Sequence, residues 1–67
     1  MINITIFYEG KSHEVKAPEG STVEHTIRLI KINPEIVLAR KGDEVIPDTE
    51  RLKDKDRIEL IRIVSGG

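Results

Sequence analysis

Sixty-seven residues hold one small hydrophobic core, and a chain of this size buries only about 60% of its unfolded surface, so that core has to be nearly complete. With 37% apolar residues the chain is not disordered, and without cysteine it has no thiol chemistry, disulfide or thiolate metal site. Eleven basic side chains against twelve acidic ones give a formal charge of −1, which argues against a nucleic-acid binder.

Eleven of the apolar residues are Ile and five are Val, so β-branched side chains suited to a pleated, half-buried surface dominate. Ile2, Ile4 and Ile6 alternate with Asn3, Thr5 and Phe7, which predicts a first strand. That opening lacks a basic leader region, and the longest apolar runs are three or four residues, so the expectation is a cytoplasmic protein without signal peptide or membrane span. Tyr8-Glu9-Gly10-Lys11 supplies a turn, and Ser12 to Lys16 a second strand with Val15 inward. Ala17-Pro18-Glu19-Gly20 breaks the pattern. Ser21, with Glu24 three positions on, predicts an N-cap and capping box for a helix whose apolar stripe is Val23, Ile27 and Ile30. Pro34 helps to end the helix.

Ile36 to Arg40 reads as a third strand, Lys41 to Glu44 as a turn, and Val45-Ile46 as a short fourth strand that Pro47 ends. Between Asp48 and Asp56 the one apolar residue is Leu52, expected to plug the bottom of the core. Arg57 to Val64 is the last strand. The predicted organisation is one α+β domain over 1–64, with a mixed sheet of four to five strands and one helix across one face, followed by a C-terminal Ser-Gly-Gly tail over 65–67.

Chemistry concentrates in that tail. Three residues reach at most about 10 Å, and two glycines offer no Cβ, so Ser65-Gly66-Gly67 fits a channel too narrow for side chains. An α-carboxyl group ionises at about pH 3.3–3.7, so Gly67 is expected to present a carboxylate at neutral pH. It becomes an acylating agent only with a good leaving group, which a partner can install by adenylation, supplying ATP and Mg²⁺ itself. Two closing glycines alone are a weak signal; their position after a strong strand gives them weight.

The chain resembles the ThiS/MoaD-type sulfur carriers and the related small archaeal modifier and ubiquitin-related modifier proteins. The similarity covers essentially all 67 residues and is carried by Ile2 to Phe7, Gly42 with Val45-Ile46-Pro47, Leu52 to Ile61, and Val64-Ser65-Gly66-Gly67. It implies a β-grasp, or ubiquitin-like, fold, with first and last strands parallel at the centre of the sheet. It further implies a non-catalytic carrier that an E1-like adenylating enzyme activates at Gly67, forming a thiocarboxylate. Sulfur then goes to thiamine, molybdopterin or a tRNA base, or the acyl group to protein lysines. Chain length and Ile46-Pro47 lean toward the ThiS side. Where the family usually has glycine between two aspartates, this chain has Lys55 between Asp54 and Asp56, and a turn with φ > 0 there carries a steric penalty.

A carrier needs a docking face. In the last strand Ile61 and Ile63 alternate against Ile58 and Leu60, and Phe7 opposes Ile2, Ile4 and Ile6, so Phe7, Ile61 and Ile63 are expected to form an apolar patch on the open side of the sheet. The competing class is an interaction module that binds through that face and needs no free terminus. Other signals carry less. His13 and His25 lie on different elements, Asp54, Asp56 and Glu59 lack the EF-hand spacing, and Gly10 and Gly42 are isolated turn glycines, so no metal or bound cofactor is expected. No nucleophile, base and orienter can be assembled. Six lysines need no explanation beyond a soluble surface.

Overall fold

The computed structural model describes residues 1–63; the expectations placed on Val64, Ser65, Gly66 and Gly67 lie outside the described residues. The elements follow as β1 (Ile2–Tyr8), β2 (Lys11–Ala17), α1 (Val23–Leu29), a 3₁₀ turn (Pro34–Ile36), β3 (Val37–Lys41), β4 (Glu44–Ile46) and β5 (Arg57–Arg62). The sheet order is β2-β1-β5-β3-β4. Only β1 and β5 pair in parallel, with Thr5 beside Arg57 and Tyr8 beside Leu60; every other pair is antiparallel. One helix on one face of such a mixed sheet is the β-grasp arrangement of an α+β fold.

Alternation decides which residues form the core. Ile2, Ile4 and Ile6 of β1, Val15 and Ala17 of β2, Val37 and Ala39 of β3, and Ile58 and Leu60 of β5 are buried together with Val23 and Ile27 of the helix. Leu52 joins them from the loop, as its isolation in a polar stretch predicts. Thr26 is buried too, and its hydroxyl donates to the Val23 carbonyl at 2.8 Å, so it leaves no unmet donor inside. Removing one of the central isoleucine side chains, as in Ile→Ala, is worth about 2–5 kcal/mol in such a core.

The helix begins one residue later than its sequence suggests. Ser21 is taken by the preceding turn: its amide and hydroxyl both donate to the Pro18 carbonyl, at 3.1 and 2.6 Å. Gly20, at φ 80°, makes that turn possible. Thr22 is the N-cap instead, accepting from the His25 amide at 3.3 Å, and Glu24 pairs with Arg28 one turn on instead of closing a capping box. The loop after β4 satisfies the remaining helix donors, because Val23 N–H donates to Glu50 O and Glu24 N–H to Asp48 O, each at 2.9 Å. This explains why a polar stretch folds over the helix start with Leu52 as its single apolar anchor.

At the other end, Lys31 takes a left-handed conformation (φ 63°) and donates to Arg28 O at 2.9 Å, while Ile32 donates to Ile27 O at 3.3 Å. These are the two bonds of a Schellman cap, with lysine where glycine is usual. Lys55 is the second such lysine, at φ 71°. Its amide donates to Asn3 O at 2.7 Å, Asp54 accepts from Asn3 N–H at 2.8 Å, and Asp56 O accepts from Thr5 N–H at 3.0 Å. The loop therefore extends the β1–β5 ladder ahead of the start of β5. The turn does require φ > 0, and these hydrogen bonds hold the lysine in it. Among the described residues no helix is long and apolar enough to cross a membrane.

Left-handed backbone at a lysine costs about 1–2 kcal/mol, against about 0.5–1 kcal/mol for ordering a glycine. Lys31→Gly and Lys55→Gly should each raise stability by about 0.5–1 kcal/mol in urea denaturation and combine additively. Unchanged or lower stability in both would show that the turns are unstrained.

Candidate functional site

The functional candidates fall into two groups: the root of the tail and the face of the sheet away from the helix. At the root, β5 is held on both sides. Arg62 reaches the carboxylate of Glu9 at 3.4 Å, and the Ile63 amide donates to Ile36 O at 2.9 Å. Glu9 itself sits in a two-residue turn between β1 and β2 in which both Glu9 (φ 51°) and Gly10 (φ 77°) are left-handed, as the tight hairpin geometry demands. Anchored backbone therefore runs to Ile63, immediately before the expected Val64-Ser65-Gly66-Gly67 segment.

The open face is a grid set by register. One row across all five strands is Ser12, Phe7, Glu59, Arg40 and Val45; toward the tail lies the pair Ile61 and Leu38, and away from it the row Glu14, Thr5 and Arg57. Phe7 is 37% exposed and Ile63 45% exposed, whereas Ile61 is only half-buried, so the three residues differ in what they present. Ile63 follows the last paired residue and lines a groove of about 490 Å³ with Val23, Ile27, Leu38 and Val45.

Two apolar residues of this face, Leu38 (41% exposed) and Val45 (56%), were not anticipated. The alternation of Val37 and Ala39 inward already turns Leu38 outward, but its place beside Ile61 depends on sheet order, which no local pattern encodes. Charges interrupt the apolar surface. Arg40 pairs with Glu59 in the middle of the row, and the Arg57 guanidinium lies 5.6 Å from the centre of the Phe7 ring, a cation–π distance. His13 is half-buried on β2 and His25 exposed on the helix; among the described residues no cluster of three or more metal-ligating side chains occurs.

The Arg40–Glu59 pair is substantially exposed at both side chains, so solvent screens it. A double-mutant cycle should give a coupling of about 0.2–1 kcal/mol that shrinks at high salt. A coupling well above this range would mark the pair as a structural element of the sheet.

Comparison with known proteins is consistent from sequence to fold. A family model described as the ThiS family matches residues 5–67. The sulfur carrier protein TtuB of Thermus thermophilus is 26% identical over 54 residues, covering 81% of this chain and 83% of its own. The thiamine biosynthesis protein ThiS of Geobacter metallireducens superposes with a TM-score of 0.62 at 25% identity, over 94% of this chain and 99% of that one. The ubiquitin of Caldiarchaeum subterraneum gives a TM-score of 0.72 at 22% identity over 98% of both chains, a likeness of fold.

Proposed function

The chain belongs to the ThiS family of small sulfur carriers, and we propose that its working group is the terminal carboxylate of Gly67, activated by a separate adenylating enzyme. The supporting observation is that the family match runs through residue 67, so it takes in the Gly66-Gly67 segment, and that this segment follows a strand held at Arg62 and Ile63.

The chemistry is acyl activation. A Gly67 carboxylate oxygen attacks the α-phosphorus of ATP, the bond to the β-phosphate breaks, pyrophosphate leaves, and an acyl adenylate remains. Mg²⁺ and the charge stabilisation come from the enzyme. Hydrosulfide, or its equivalent delivered by a sulfur donor, then attacks the acyl carbon; AMP leaves and a thiocarboxylate results. A lysine amine attacking the same carbon would form an isopeptide bond, so sulfur donation and protein conjugation share one intermediate. The carrier contributes the acyl group, the narrow Ser65-Gly66-Gly67 lead and a docking surface drawn from Phe7 and Ile61 on the open face together with Ile63, which lines the groove beside Val23 and Ile27. The sulfur acceptor is a thiamine, molybdopterin or tRNA-thiolating system.

The test is mass spectrometry of the protein after incubation with ATP, Mg²⁺, a purified adenylating enzyme and a sulfur donor. Exchange of one terminal oxygen for sulfur is expected, and one residue appended after Gly67 should abolish it. Binding that survives the extension with no acyl chemistry in the native chain would instead establish an interaction module working through the sheet.

A further inference from the structure

Arg57 is a cation of the open face that makes no ion pair among the described residues; Lys16, beside Asn3 on the outer strand β2, is another, but it has no aromatic ring under it. Among the described residues Arg28 pairs with Glu24, Arg40 with Glu59, Arg62 with Glu9 and Lys41 with Asp56, whereas Arg57 makes no ion pair and lies over the Phe7 ring. Glu14, on the same row, is separated from it by the whole of β1. The face around it is Thr5 and Phe7, then Glu59, which Arg40 engages, and further along β5 the Ile61–Leu38 pair.

That arrangement has an energetic consequence for any protein that docks here. Covering Phe7, Leu38 and Ile61 with apolar surface strips water from Arg57 as well, and an uncompensated buried cation is strongly unfavourable. The Arg40–Glu59 pair brings its own counter-charge into the interface, but Arg57 does not. Resting on the ring also limits the rotamers of Arg57, so less side-chain entropy is lost when it is fixed. Building on the carrier reading, we infer that the docking surface of the adenylating enzyme is apolar opposite Leu38 and Ile61 and bears a carboxylate opposite Arg57. Arg57 sets specificity: an enzyme lacking that acid, or presenting a base there, is rejected by the cost of desolvation.

The probe is the purified adenylating enzyme that supports pyrophosphate release with the native chain. Its affinity is measured by calorimetry at low and high salt for the native protein, Arg57→Gln and Arg57→Glu, with circular dichroism to verify folding. Arg57→Gln removes the charge and shortens the side chain while leaving it polar, and it should weaken binding about tenfold and flatten the salt dependence, the flattening being the readout of the lost charge. Arg57→Glu should weaken it further, and an acid-to-lysine change on the enzyme should restore the Glu variant selectively. Affinities of both variants within twofold of native, with pyrophosphate release intact, overturn the inference and leave the carrier reading standing. Absence of pyrophosphate release with the native chain overturns the carrier reading and the inference with it. Should Arg57→Glu unfold, the Gln variant alone decides.

Discussion

The structure depends on the parallel pairing of its first and last strands. A parallel pair gains no tight hairpin; it needs a long crossover, and here the crossover takes in everything between Tyr8 and Arg57. The entropic cost of closing so long a loop grows only logarithmically with its length, but it must be met before any β1–β5 contact forms. What offsets it is the row Ile4, Ile6, Ile58 and Leu60, buried under Val23 and Ile27 at the centre of the sheet. Everything else is arranged around that seam. The hairpin of β1 and β2 covers one side, the β3–β4 hairpin the other, and the loop bearing Asp54 and Asp56 extends the ladder at its base.

This division separates stability from activity. The helix-side residues are apolar and enclosed, while the opposite face carries a mixture of Phe7, Leu38, Val45 and ionic groups that a free protein can keep in water. A small domain cannot spare much core for function. In the proposed function, chemistry at a backbone terminus and recognition on one sheet face leave the packing of the helix side untouched by either.

Much of this was legible from residue order. Period two in Ile2 to Phe7 and in Arg57 to Ile61 gave strands and their inward faces, because burial selects alternate side chains whatever the partner strand is. Leu52 was legible as a plug for the same reason: an isolated leucine among polar residues has one place to go. The N-cap was not, since Ser21 is intrinsically the better cap than Thr22 and the choice is made by the Pro18–Ser21 turn and by Glu50 and Asp48, distant in sequence. The left-handed lysines were only half visible. The departure at Lys55 pointed to a turn, whereas at Lys31 nothing in the residue type announces a C-terminal cap. On the open face, the outward side of each strand was predictable, but the neighbours Ile61–Leu38 and Glu59–Arg40 follow from sheet order. The ring contact of Arg57 likewise arises only once β1 and β5 are adjacent.

The shared direction of β1 and β5 also dictates the polarity of the whole body. Since the two strands run alongside each other, Met1 emerges at one pole of the sheet and Ile63 at the opposite one. A fluorophore, affinity handle or fused domain placed ahead of Met1 therefore stands a full strand length away from Ile63 at the other pole. The molecule can be labelled, immobilised or pulled from its starting pole without approaching the pole where β5 finishes.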